Sequence, residues 1–227
     1  NITTLRGVLE HLPHWEMIML DACLMQSIEV AYELKDVTDY MVGCPSETNA
    51  YGAPYDMIMK HMLKGDAGQV ARTYYESYEH GSGAIISAID CRQLDQLAEV
   101  MQTLVPKIWG GRKEISTEGI QYYSPFGSSS SYRPEPYDIE GVMYHTLEAQ
   151  DFALWKEAWD KVNVYCGATD EWATVYGPGI HNHLIDRDHY SGMSMFVPNE
   201  KYVPYQWMDK FREFRWYKAA RWDETGW

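Results

Sequence analysis

Four cysteines and eight histidines are the side chains of this 227-residue chain best suited to nucleophilic, acid–base or metal chemistry. Cys23 is set apart by its surroundings. The apolar run Met17 to Leu20 reads as a short strand buried on both faces. It stops at Asp21, and a helical pattern runs from Leu24 to Leu34. Cys23 is therefore expected at the carboxyl end of a strand and the amino end of a helix. Ligands and chemistry collect at that place in open α/β sheets. A helix amino terminus also favours thiolate over thiol, and the thiolate is the nucleophile. Position alone favours the plain reading, a small buried hydrophobe, which suffices for Cys44, Cys91 and Cys166.

A thiolate that attacks a peptide needs a nearby base. His11 and His14 precede the strand, so they lie at its far end, roughly 20 Å or more from Cys23 on strand geometry. His181-Asn182-His183 has two histidines two apart and no further ligand pattern, so no metal site is assigned.

The elements that must position Cys23 alternate along the chain. A helix over Leu5 to Leu12 ends at Pro13, and the Cys23 strand and helix follow. Asp39 to Cys44 is a second buried strand. The polar loop Pro45 to Pro54 leaves it at the sheet edge that carries Cys23, well placed to line a pocket. Helices are expected over Tyr55 to Leu63 and Val70 to Tyr78, then a strand from Ala84 to Ile89, then a helix from Arg92 to Trp109 stopped by Gly110-Gly111. This order predicts a three-layer α/β/α sandwich with a mostly parallel sheet. Composition shifts after residue 111. Residues 112–137 hold a Ser/Pro/Gly-rich loop or insertion, and 138–227 read as a mainly helical extension with one returning strand. In that extension Asp151 to Tyr165 and Tyr205 to Trp222 read as helices and Ser191 to Val197 as the strand.

Composition narrows the function classes. A net charge of -14 argues against nucleic acid and anionic membrane surfaces as partners. No run is long enough for a transmembrane helix. Nine Trp and eighteen Tyr suggest extensive aromatic packing in a partly polar interface or groove. The cysteine spacing shows neither a zinc pattern nor a dense disulfide framework.

Leu20-Asp21-Ala22-Cys23-Leu24-Met25, Ile28 to Leu34 and Thr38-Asp39-Tyr40-Met41-Val42 together resemble the clostripain family of cysteine peptidases, in the clan of caspases, gingipains and legumain. The likeness continues at Gly52 to Asp56, at Ser87 to Asp90, at Ser191 to Pro198 and in the Trp/Tyr-rich end. It implies a caspase-like fold and an endopeptidase with Cys23 as nucleophile. In the clan the catalytic His stands in a His-Gly pair ahead of the cysteine. His80-Gly81 follows Cys23 and leads into a strand, so it is read as a loop histidine. The resemblance thus implies a heavy chain, with a light chain cut from the same precursor supplying the catalytic His, peptide substrates, and a secreted or cell-envelope location.

Asp21 and the loop residues Glu47, Thr48 and Tyr51 are then the candidate substrate-binding residues. In Arg-specific relatives a carboxylate at the Asp21 position and a second acid after the next strand bind a basic P1 side chain. Tyr51 stands where that second acid is sought, and Glu47 is its substitute. Asp21 as a helix cap is the structural alternative. No cofactor is expected. Calcium is associated with clostripain itself, but no loop of EF-hand spacing supports it here. Two other readings stay open: a catalytically inactive binding module on the same fold, suggested by Tyr51, and a carbohydrate-active protein using the aromatic C-terminal half.

Overall fold

The central sheet runs β1 (Trp15–Leu20), β2 (Thr38–Gly43), β3 (Ile85–Asp90), β5 (Asn163–Ala168) in that spatial order, in a computed structural model that describes residues 1–48, 51–110, 114–123, 134–173, 181–199 and 206–225. β1 and β2 are parallel, whereas β3 is antiparallel to both its neighbours. Three strands therefore share one direction and β3 opposes them. Leu20, Gly43, Ser87 and Cys166 form one row across the sheet. The carboxyl ends of β1, β2 and β5 meet the amino end of β3 beside that row.

Side-chain alternation along the strands builds the two flanking layers. Ile18, Leu20, Met41 and Ile89 face a cluster with α2 (Ile28–Leu34), α5 (Leu94–Trp109) and α7 (Ala149–Val162). Met17, Met19, Val42, Ile86 and Ala88 face α3 (Tyr55–Met62) and α4 (Ala67–Tyr78). The fold is the expected three-layer α/β/α sandwich. α1 (Ile2–Leu9), capped by Asn1, lies a few residues earlier than the expected Leu5–Leu12 span and buries none of its side chains.

Two expectations about the Cys23 segment are corrected. α2 begins at Ile28, with Ser27 as its cap, and not at Leu24. The N–H groups of Leu24 and Gln26 are drawn sideways to the carbonyls of Ser46 and Cys44, at 2.8 and 3.1 Å. Leu24 also has φ +61°, outside the helical region. Nor is β1 buried on both faces. Trp15 and Glu16 are exposed and the rest are half-buried, because β1 has a partner on one side only among the described residues.

The C-terminal half departs further. The helical pattern from Asp151 breaks at Val162, and Asn163–Ala168 is the fourth strand of the central sheet. Asn163 leaves the helix in an extended conformation, and Tyr165 packs with the α3/α4 layer. The strand expected at Ser191 to Val197 is shorter, β8 (Ser194–Phe196), and pairs with β4 (Pro136–Asp138) outside the central sheet. β6 (Glu171–Ala173) and β7 (His181–His183) form a third, two-stranded unit. The expected terminal helix is divided into α8 (Trp207–Arg212) and α9 (Arg215–Ala219) by Phe214, whose ψ is 143°. α6 (Ile139–Thr146) completes the helices described. Residues 112–113 and 124–133 of the expected insertion lie outside the described residues. Val142, Trp155, Trp159, Phe211, Trp216 and Trp222 from beyond residue 137 pack into the same cluster as α2 and α5.

The aromatic richness goes mainly into this core. Trp155, Trp159, Trp172, Trp216 and Trp222 are fully buried, and Trp155 stacks on Trp159 with an interplanar angle of 8°.

Candidate active site

Cys23 lies just past the carboxyl end of β1, in a turn, half-buried. The loop after β2 brings Thr48 against it. The Thr48 backbone N–H donates to Cys23 Sγ at 3.3 Å, and the Thr48 hydroxyl lies 3.5 Å from the same sulfur. Since α2 starts at Ile28, no helix amino terminus reaches Cys23. The donor aimed at the sulfur is a loop amide instead.

Asp21, two residues before Cys23, does not cap a helix. Its Oδ2 accepts from the Ala53 backbone N–H at 3.1 Å and from the Tyr55 hydroxyl at 3.0 Å. Gly52, just before Ala53, has φ +76°, and a Cβ there would stand 3.3 Å from Asp21 Oδ2. Glycine thus meets both a left-handed backbone and a close approach. The Gly52 carbonyl accepts from the Tyr78 hydroxyl at 2.6 Å. Burial and the nearby Asp21 charge raise the pKa of Tyr55 and of Tyr78, so both stay protonated as donors at neutral pH.

The remaining expected residues separate. Glu47 is buried at 6% exposure, while Tyr51 is 93% exposed. Thr48 touches the cysteine and Asp21 anchors the loop beyond it. Cys44, fully buried behind this loop, has its thiol pushed up to about 12 by desolvation, which makes it inert beside Cys23.

Three buried residues that the sequence did not reveal brace the turn. Gln26, fully buried, crosses over Gly43 and donates through Nε2 to the hydroxyl and the carbonyl of Ser87, at 2.9 and 3.3 Å. A Cβ at Gly43 would stand 2.9 Å from Gln26 Oε1, so glycine leaves room for the crossing. Ser87 passes its own hydroxyl hydrogen to the Gly192 carbonyl at 2.8 Å. The Gln26 carbonyl accepts from Ser194 N–H at 2.9 Å. No pattern in the sequence singles out this strap, because its members are far apart in the chain.

No described histidine contacts Cys23. His14 pairs with Asp39 at 3.0 Å at the far end of β1. His80 lines a polar cleft with Tyr75, Glu79, Thr169 and Arg187. His183 faces Glu171, and His189 pairs with Asp186 while stacking on Tyr144. Among the described residues no group of three or more His, Cys, Asp or Glu side chains is arranged to hold a metal ion.

The family model Peptidase_C11, the clostripain family, matches residues 1–227. The chain belongs to the clostripain family. Solved structures of clostripain-type proteases share its fold. A cysteine protease of B. fragilis superposes with a TM-score of 0.87 at 23% identity, covering 100% of this chain and 95% of that one. An inactive zymogen C11 protease from Parabacteroides distasonis gives 0.84 at 26% identity, covering 97% and 62%. A secreted C11 cysteine protease from Bacteroides thetaiotaomicron, in complex with an irreversible peptide inhibitor, gives 0.82 at 26% identity, covering 99% and 64%. The clostripain-family chain described here therefore spans nearly all of the first and just under two thirds of the other two. Comparison with curated proteins found no match. Family and fold are those of a cysteine peptidase, a hydrolase. Among the described residues no helix is long and apolar enough to cross a membrane.

Proposed function

We propose that this chain is the nucleophile-bearing heavy chain of a secreted or envelope-associated cysteine endopeptidase that cleaves after basic residues. The observation that carries the reading is the half-buried Cys23 at the carboxyl end of β1, its sulfur met by the Thr48 N–H, with the Asp21 carboxylate two residues away. Cys23 Sγ attacks the scissile carbonyl, the C–N bond breaks, and water then hydrolyses the thioester. A histidine on the light chain takes the thiol proton and returns it to the leaving amine. Backbone N–H groups at Cys23 and on the light chain hold the oxyanion. Asp21 supplies negative charge for the P1 side chain.

The outer edge of β1 supports the light chain as a partner. Trp15 is 44% exposed there, and Leu5, Val8 and Leu12 of the neighbouring segment are exposed as well. A further strand pairing with β1 would satisfy the edge and cover these side chains. Activation by cleavage between the catalytic His and Cys23 is part of the proposal, a reading supported by the family resemblance. No step in this scheme requires a cofactor.

The test is expression of the full precursor, with peptide cleavage followed for wild type and Cys23→Ala. Wild type should cleave and label covalently at Cys23 with a peptidyl alkylating probe. A variant lacking Cys23 that cleaves as fast as wild type would end the proposal. Absence of both cleavage and labelling in a processed two-chain wild type would favour the inactive binding module.

A further inference from the structure

We infer that Tyr55 sets the P1 preference of this site and that the preferred residue is lysine over arginine. The inference rests on the proposal that Asp21 receives a basic P1 side chain.

Asp21 is not a bare carboxylate waiting for a cation. Ala53 N–H and Tyr55 O–H both donate to one oxygen, Oδ2. That oxygen is committed to the loop, and the loop is fixed in turn by the Tyr78 hydroxyl on the Gly52 carbonyl. The positive φ of Gly52 and its close approach to Asp21 leave no slack for the loop to withdraw without breaking these bonds. A P1 cation therefore meets the carboxylate through its other oxygen.

The two basic side chains respond differently. A lysine ammonium is a compact charge that needs a single good oxygen. An arginine guanidinium is held best by two parallel N–H···O bonds to both carboxylate oxygens. The usual remedy, a second acid, is missing from the expected place, where Tyr51 is 93% exposed. Glu47, the other candidate acid of the loop, is buried at 6% exposure. Among the described loop residues one monodentate carboxylate thus remains for P1, and it suits lysine.

The experiment uses the processed enzyme from the full precursor and two fluorogenic peptides that differ only in P1, Lys or Arg. Wild type is expected to show a kcat/KM about tenfold higher for Lys, the size of one lost charge-assisted bond. Tyr55→Phe keeps the half-exposed ring and removes only the donor to Oδ2. It should raise kcat/KM for Arg several-fold and narrow the ratio, while Asp21→Asn lowers both substrates together. A wild type that cleaves Arg as well as Lys overturns the inference. So does a ratio unmoved by Tyr55→Phe, or Lys cleavage that survives Asp21→Asn. Cleavage only after a non-basic residue overturns it while leaving the peptidase proposal intact. Failure of every peptide and of covalent labelling at Cys23 removes both.

Discussion

Replacing Gln26 with Leu separates the positioning of Cys23 from the stability of the fold. The Gln26 amide is fully buried. It donates to the Ser87 hydroxyl at 2.9 Å and the Ser87 carbonyl at 3.3 Å, while its Oε1 has no partner among the described residues. Two hydrogen bonds of about 1 kcal/mol each are lost in Gln26→Leu, and the cost of an unpaired buried oxygen, about 1–3 kcal/mol, is relieved. The Ser87 hydroxyl keeps its acceptor on Gly192, so no new orphan donor appears. The backbone bonds of Gln26 to Cys44 and Ser194 also survive. The net change should stay within about 1 kcal/mol, a shift of about 2–4 °C in melting temperature for a chain of this size.

Catalysis should suffer more. Without the strap, the turn that carries Cys23 is held to β3 by nothing on the Gln26 side chain. A displacement of about 1 Å at a reacting atom costs about a hundredfold. The assay pairs thermal melting of the processed enzyme with kcat and KM on one peptide. The expected result is a near-wild-type melt with kcat reduced at least tenfold, on the scale of that estimate, and KM little changed. A melting temperature lowered by more than about 10 °C would show that the amide is a net stabiliser, and the argument from its orphan oxygen would be wrong. Unchanged kcat would show that the strap does not position Cys23.

Three further outcomes are expected. Iodoacetamide at pH 8 should add one adduct to the native protein, at Cys23, because burial raises the thiols of Cys44, Cys91 and Cys166; mass mapping that finds early adducts elsewhere contradicts this. Glu140, buried beside Lys156, has its pKa raised from the usual 4.5 to about 7 by desolvation. The folded state therefore binds the proton more tightly than the unfolded one. Stability falls as pH rises from about 4.5 to 7 and is flat above. Glu140→Gln should stabilise the protein by on the order of 2 kcal/mol at pH 8 and by nothing near pH 4, measured by urea unfolding at both; equal effects at the two pH values would refute the assignment. Gly192→Ala should cost several kcal/mol, since φ is +68° and a Cβ would lie 2.6 Å from Cys166 Sγ, and soluble, wild-type-like melting would contradict the row of contacts above β3 and β5.

Much of the sandwich was legible because its signals are local. The apolar run before Asp21, the Gly110 stop after Trp109 and the spans of α3 and α4 depend on neighbours a few residues away, and the structure keeps them within a few positions. The C-terminal half was less legible. A helical period running into Asn163–Ala168 cannot show that a vacant sheet edge beside β3 will claim those residues as β5. The helix pattern at Leu24 failed for a similar reason: two lateral hydrogen bonds to the β2 loop outweigh local helix propensity there.

At the site, the sequence by itself determined the nucleophile candidate and its carboxylate neighbour, because Cys23 and Asp21 are two residues apart in the chain and carry the chemistry in their own side chains. Tertiary structure alone decided what those groups touch. It replaced an expected helix terminus at Cys23 with the Thr48 N–H, turned Tyr51 to solvent, and tied Asp21 to Ala53 and Tyr55. It also joined Gln26, Ser87 and Gly192 into one strap across residues far apart in sequence. Side-chain chemistry is a property of single residues and is written in the chain. Hydrogen-bond partners are set by which strands lie side by side, and that order exists only once the sheet has formed.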